Sequence, residues 1–592
     1  MRFVPHTRQR RIAVAVVIAL ALLVSSGIAG ARGQRHAPTA PPSPRQQQFT
    51  AAAHEFGVPE PLLLALSYAL TRWEAGAGQP DAAGGFGPMH LTFADGRSYA
   101  ANVVSTARGA LTDVLNLDAI ARAIDADPAR HTLEAAATLV HVPPGQVSRD
   151  PRQNIRAGAA LLASYAGTPR PTSLNDWRDA VAKFLGGGAS TPVAQQLTDS
   201  VYDVLRSGAR RTTSDGQWMS LAARPDASAG AERTAGAQCP AALSCQFVQA
   251  AGYDKGGRRA DQVRYVVLGT AGSTYEQAAA RMADPASATS SHYLVRGSDG
   301  QVTQLVRTAD VAWYAGNLTL NQQSVSIALD TVRSTYSEQT YASTAALVRY
   351  LAAAYRIPLD RQHILGRDEL PSTAPQAWPD ATPPPAADPG AFWDWGHLFS
   401  LLGAPLAGPT DDFGHTVAFV PAFGANTQPA QSCAALGLDC ADIGSPAVNF
   451  VPLRTAPSDT APLLSDPALH PDGQPGSTDL ADTGDKAVAG QVFAVAGRQG
   501  AWTAIWYGGQ RAWFRDGGGV TRQVRAPLVT PAAGLGEIQV YAEPDQPAPT
   551  ASPILAGQSY PLVGQLPGGW DVIAFDHRIG YVRSADVSVG LG

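Results

Sequence analysis

Tyr265-Val266-Val267-Leu268 is a short apolar run. Such a run reads as a short buried strand. Working outward, Tyr275 to Ala283 has helical spacing. His292 to Arg296 and Val302 to Val306 flank Gly297-Ser298-Asp299-Gly300, whose Asp-Gly pair is a hairpin signal. Val325 to Leu329 reads as another strand, Ser337 to Tyr355 as a long amphipathic helix, and Gln362 to Leu365 as a late strand. The stretch closes on Asp388-Pro389-Gly390-Ala391-Phe392-Trp393-Asp394-Trp395. Strands and helices interleaved in this way predict an α/β domain, a mixed sheet with helices on its faces.

Six separated pieces of residues 261–400 stand in a telling order. They are Tyr265–Leu268, Ser291-His292-Tyr293-Leu294-Val295, Ala312-Trp313-Tyr314-Ala315-Gly316-Asn317, Ser324-Val325-Ser326-Ile327, His363 to Glu369, and the closing Asp-Pro-Gly segment. Together they resemble the zinc-dependent N-acetylmuramoyl-L-alanine amidases of the T7-lysozyme and peptidoglycan-recognition-protein type. The resemblance implies three zinc ligands and an open position for water. Its first ligand, a His two residues before a Thr, falls on Leu268, with Thr270 in place. Its second, a His directly after a Gly, falls on Arg367, after Gly366. Its third falls on Asp388, a vestigial ligand. Its acid/base Glu, following a Gly-Ile pair, falls on Ala328. Leucine cannot ligate zinc, and arginine carries a fixed positive charge. The family's substrate groove falls on His292, Trp313, Tyr314 and Asn317. An active enzyme would need ligands from elsewhere, and His292, His363 and His397 are the histidines of the stretch.

The 592-residue length allows about three to five domains. The net charge of −5, without a basic stripe, argues against nucleic acid as a partner. High Ala, Arg and Gly with few Lys is the composition of a GC-rich bacterial genome. Arg8, Arg10 and Arg11 precede an apolar run from Ile12 to about Ile28, followed by Ala29-Gly30-Ala31. This predicts a signal peptide over 1–31, with a membrane anchor as the alternative, and a disordered Pro-, Arg- and Gln-rich leader over 32–48. Export to an oxidising compartment makes Cys239 with Cys245, and Cys433 with Cys440, the natural disulfides. Zinc is the alternative for these cysteines, but the spacings are long and no His cluster flanks them.

Residues 49–209 are helical by pattern: Phe56, Val58, Leu62, Leu63, Leu66 and Leu70 recur at helical spacing behind Pro59. Ser67 to Trp73, Gly84 to Leu91, Asn154 to Gly158 and Trp177 to Phe184 resemble the lysozyme-like lytic transglycosylases. The family's catalytic acid falls on Leu70, which cannot protonate a leaving oxygen. Glu74, one turn on, is the substitute the helix offers. Residues 210–236 read as a linker, and the amidase-like domain spans 237–405. From 411 the chain alternates apolar residues with Gly, Pro and Asp turns. Two similar units, 411–525 and 530–592, each end in an aromatic strand, a tight turn and a further strand, and resemble bacterial SH3-like small β-barrels.

The expected protein is therefore multidomain: an all-α lysozyme-like domain, an α/β amidase-like domain and C-terminal β-barrels. The expected function is a secreted, peptidoglycan- or muropeptide-binding cell-wall protein whose hydrolase domains are catalytically degenerate. Zinc is expected only if the amidase site is active, and a partner hydrolase is a further candidate. The alternatives are an active amidase cutting the bond between muramic acid and L-alanine, and a structural envelope protein without glycan contact.

Overall fold

The computed structural model describes residues 42–591 except 81–83, 94, 97–120, 123–124, 187, 189–191, 228–235, 257, 285–288, 317, 331–335, 372–387, 407–414, 434–439, 545–549 and 551. The signal-like segment 1–31, Asn317 and residues 372–387, a stretch rich in Pro and Ala, lie outside the described residues. No described helix is long and apolar enough to cross a membrane.

Helices come first: α1 (Pro44–Phe56), α2 (Glu60–Thr71), α3 (Thr132–Val140), α4 (Pro151–Ala166), α5 (Arg178–Leu185) and α6 (Pro192–Ser207). Leu62, Leu63, Leu66 and Leu70 of α2 are buried with Ile155, Leu162 and Trp177 in one apolar core. Asn154 of α4 bolts the Gly-rich turn to this core. Its Oδ1 accepts from Met89 N at 2.8 Å and its Nδ2 donates to Phe86 O at 2.9 Å. Helix α1 begins at Pro44, inside the stretch expected to be a leader.

The expected linker is a second correction. Residues 209–221 form an antiparallel hairpin, β1 (Ala209–Thr212) with β2 (Trp218–Leu221). Met219 and Leu221 bury their side chains in the helical core. That burial overrides a polar composition.

The middle region is a six-stranded mixed sheet. Its strands are β3 (Cys245–Phe247), β4 (Tyr265–Thr270), β5 (Tyr293–Val295), β6 (Val302–Gln304), β7 (Ser324–Leu329) and β8 (Ile364–Gly366), in the order β8-β4-β7-β5-β6-β3. The four strands β8, β4, β7 and β5 run parallel. Both faces are covered, as a parallel sheet requires. On one face Val266, Leu268, Val325 and Ile327 meet Leu347 and Leu351 of the long helix α8 (Glu338–Tyr355). Ser337 caps that helix, its side chain accepting from Thr340 N. On the other face Tyr265, Val267, Ala328 and Leu365 meet Tyr275, Ala278 and Met282 of α7 (Tyr275–Ala283). A last helix, α9 (Trp395–Leu402), is capped by Asp394. Disulfides join Cys239 to Cys245 and Cys433 to Cys440.

Two antiparallel sheets follow, built to one plan. The first contains β9 (Thr416–Phe419), β10 (Val492–Gln499), β11 (Trp502–Tyr507), β12 (Gln510–Arg515) and β13 (Thr521–Gln523), ordered β12-β11-β10-β9-β13. The second contains β14 (Pro527–Pro531), β15 (Tyr560–Leu566), β16 (Trp570–Ala574), β17 (Ile579–Arg583) and β18 (Val587–Leu591), ordered β17-β16-β15-β14-β18. Each breaks register at the same place in its second strand, between Val495 and Gly497 and between Leu562 and Gly564. Between the first two strands of the first sheet a separate two-stranded ladder, Phe450–Pro452 with Lys486–Val488, packs Phe450 and Val488 on the α8 side of the middle region, and the second sheet packs Val563, Trp570 and Tyr581 on the α7 side.

Buried ion pairs join these parts. Arg72, closing α2 in a left-handed conformation (φ 54°), donates to Asp330 Oδ2 at 3.2 Å and lies 3.7 Å from Glu276 Oε2. Arg361 pairs with Glu369, donates to Ala489 O at 3.1 Å and stacks its guanidinium 3.5 Å from the Trp395 ring centroid.

Candidate functional site

The carboxyl ends of the parallel strands hold the site. There β4 ends in Gly269-Thr270, β8 runs into Arg367, and the cis Asp388-Pro389 peptide turns Asp388 back between them. Arg367 Nη1 donates to Asp388 Oδ2 at 3.2 Å, and Arg367 Nε donates to Tyr314 O at 3.0 Å. Thr270 N donates to Asp388 Oδ1. The guanidinium also lies 5.1 Å from the Tyr314 ring centroid, within cation–π range. Gly269 makes this approach feasible. A Cβ there would stand 2.9 Å from Asp388 Oδ1 and 3.1 Å from Arg367 Cβ, and closer still to Tyr314 Oη. Glu369 holds the strand end, accepting from Gly366 N at 2.6 Å while paired to Arg361.

Burial sets the electrostatics. Asp388 is 6% exposed, and desolvation pushes its carboxyl up to about 6, against the pull of Arg367 and the Thr270 N–H. Asp368 adds to the upward push. Tyr314 is buried and its hydroxyl is raised well above 10, first by burial and then by Asp388. Its Oη has no hydrogen-bond partner among the described residues.

The sequence-predicted residues separate here. Arg367, Asp388 and Tyr314 come together. Leu268 does not: it is fully buried on the α8 face, and Gly269 is the β4 residue that faces Asp388. Counting back from Thr270 selects Leu268, whereas strand alternation puts its neighbour on the site face. Ala328 is the register partner of Gly269 and is fully buried. His292 is not a groove wall. It is 1% exposed, with Nδ1 3.0 Å from Ser326 Oγ and Nε2 2.9 Å from Arg258 Nη2. Burial and the Arg258 charge hold its pKa well below 6.5, so the ring is neutral. Trp313 is half-buried, its backbone tied to Ser290 and its Nε1 without a partner. Asn321, which sequence reasoning missed, fixes this wall by accepting from Tyr314 N and Ala315 N at 3.0 and 2.7 Å. His363 sits at the opposite strand ends with Nδ1 2.7 Å from Asp360, and His397 pairs with Glu338 at 2.9 Å.

In the helical region Leu70 is buried in the core. Glu74 is neither solvated nor poised for acid catalysis. It accepts from Arg211 Nη2 at 2.7 Å and from Ser214 N and Oγ, which locks the β1–β2 hairpin to α2.

The donor set does not fit a catalytic zinc. Of the positions around Asp388, Gly269 has no side chain, Arg367 is a fixed cation, and the Tyr314 hydroxyl is held protonated. Among the described residues no three His, Cys, Asp or Glu side chains are grouped to hold a metal ion.

Comparison with known proteins bears on the same region. Over 57 residues the chain is 39% identical to N-acetylmuramoyl-L-alanine amidase A of Achromobacter lyticus, which covers 10% of this chain and 32% of that protein. The match thus spans about a third of the curated relative. Solved structures similar to part of the chain include a selenomethionine derivative of AmpD (20% identity, TM-score 0.20, 27% of this chain and 94% of that one). A mutant endolysin from Bacillus subtilis is another (18% identity, TM-score 0.17, 21% of this chain and 84% of that one). A family model described as N-acetylmuramoyl-L-alanine amidase matches residues 259–390, the segment that runs from ahead of β4 through Asp388.

Proposed function

We propose that this chain is a secreted, peptidoglycan-binding protein of the bacterial cell wall whose amidase-type domain binds muropeptide without hydrolysing it. One observation carries the reading: the Arg367 guanidinium is paired with Asp388, the one matched ligand position that keeps a metal-binding side chain. A cation already occupies the place where a metal would be needed, and a second cation would be repelled by it. Activation of water by zinc needs three ligands and an open position, and of the three matched ligand positions only Asp388 carries a ligating side chain. The half-buried Trp313, held beside the buried Tyr314, offers an aromatic edge suited to sugar and peptide. The helical region fits a lysozyme-like domain that has lost its acid at Leu70. The two C-terminal sheets fit SH3-like modules that add wall contacts.

The test is sedimentation with insoluble peptidoglycan, alongside incubation with muropeptide and excess zinc followed by mass analysis. Co-sedimentation without cleavage, with an active amidase working in a parallel tube, is the expected result. Cleavage abolished by Asp388→Ala would establish an active enzyme instead. Failure to sediment would leave a structural envelope protein.

A further inference from the structure

A cavity opens at the other end of the sheet. Its volume is about 180 Å³. It lies where the amino ends of β4 and β8 meet β15, lined by Arg264, Tyr265, Arg356, His363, Val563 and Gly564 among others. The six residues of β4 separate it from Asp388 by about 17 Å. The family-type domain cannot build it alone, because Val563 and Gly564 come from the second C-terminal sheet, at the register break of β15.

The lining is cationic. Arg264 is held in place, its Nη1 donating to Gln565 O at 2.9 Å. Asp261, at the rim, is taken up by Arg259 through contacts of 2.9 and 2.5 Å. His363 stacks on Tyr265 with ring centroids 6.0 Å apart, and its Nδ1 bond to Asp360 directs Nε2 away from that carboxylate. The Arg356 guanidinium has no ion-pair partner among the described residues. Arg356 ends α8 with φ 59°, a left-handed position that glycine takes without strain. A strained backbone carrying an unpaired cation into a cavity is an arrangement that stability alone does not explain.

We propose that this cavity is a binding site for a carboxylate-bearing peptide, specifically the free carboxylates of a muropeptide stem, with Arg356 and Arg264 as the anion contacts. Val563 and Tyr265 supply the apolar wall. The proposal rests on the peptidoglycan reading and adds a second contact on the same chain, remote from Arg367.

The experiment titrates the full chain with soluble acidic muropeptides and with the same muropeptides amidated at their carboxylates. Acidic muropeptide is expected to bind at least about ten-fold more tightly, the value of one charge-assisted contact. Arg356→Gly is expected to weaken that binding about ten-fold while raising the melting temperature, since it removes the backbone strain. Gly564→Phe is expected to remove the preference for the acidic over the amidated muropeptide by filling the cavity; no atom lies within 4 Å of the added Cβ, and Gly564→Ala, which leaves room, is expected to retain that preference. Unchanged affinity in Arg356→Gly and Gly564→Phe, or loss only in Arg367→Gln, would overturn the proposal. If the wild-type chain binds acidic and amidated muropeptides equally, the cavity assignment fails and the peptidoglycan reading stands. If it binds neither and does not sediment with intact peptidoglycan, both fail.

Discussion

Replacing Arg367 by Gln asks what the guanidinium does for a buried carboxylate. In the native protein Asp388 keeps a proton up to about pH 6, and Arg367 Nη1 sits 3.2 Å from its Oδ2. Because this folded value is above that of the unfolded chain, the folded state holds the extra proton between about pH 4 and 6. Stability therefore falls as pH rises through that window. Removing the opposite charge raises the folded value further. A neighbouring cation is worth 1–3 units, and since the Arg367 side chain is 42% exposed the lower end, about 1 unit, applies. One unit corresponds to about 1.4 kcal/mol. At pH 8 Asp388 must ionise or stay protonated against the solvent, and the variant should lose about that much. At pH 5 the carboxyl is mostly protonated with or without Arg367, and the electrostatic loss should be about 0.1 kcal/mol. Denaturant unfolding of wild type and variant at both pH values reads the difference directly. Lost packing of the arginine stem cancels between the two conditions. In an Asp388→Asn background the pH dependence of the substitution should vanish. Equal losses at pH 5 and pH 8, or a larger loss at pH 5, would show that Arg367 is not the counter-ion of Asp388.

Gly269→Ala places a methyl against Tyr314, Asp388 and Arg367; it should cost about 1–3 kcal/mol in thermal unfolding and disturb the Arg367–Asp388 pair. Arg361→Met leaves Glu369 buried at 2% exposure without its partner. That should cost about 3–5 kcal/mol by denaturant titration, and a loss below 1 kcal/mol would remove Arg361 as the joint between the middle region and the C-terminal sheets. Glu74→Ala should lower stability by about 1–3 kcal/mol as the hairpin loses its anchor. Glycan release from peptidoglycan, assayed in parallel, should be at background in both proteins, and release by the wild type that Glu74→Ala removes would make Glu74 an acid.

Much of the middle region is legible without coordinates. Helix 275–283 and the Ser337-capped helix follow from periodicity and capping, because amphipathic pattern and cap chemistry are local. The likeness of the two C-terminal units is visible as repeated aromatic strands and Gly turns, and the structure gives them one strand order. What resisted reading depends on which way a side chain points. Spacing from Thr270 singles out Leu268, but the pleat presents Gly269 to Asp388. His292 reads as a groove residue by order in the chain, yet Ser326 and Arg258 enclose it from elements 34 residues away on either side. The β1–β2 hairpin has only Met219 and Leu221 to bury, too few apolar positions to outweigh its Ser, Thr, Gly and Arg in a sequence window. Its Glu74 anchor is more than a hundred residues distant.

Arg72 gives the chain a property that a string of separable modules lacks. Glu276 and Asp330 are buried carboxylates of the middle region, and the positive charge nearest both arrives from the end of α2, in the helical region. A fragment cut between the two regions would keep Arg296 near Glu276 but lose Arg72, the cation that Glu276 and Asp330 share. In the intact chain burial pushes Glu276 upward, with Arg72 opposing that push. The helical region, even without a catalytic acid, thus acts as an intramolecular counter-ion, and gene fusions or truncations that preserve every recognised motif of residues 259–390 would still remove a charge its fold depends on.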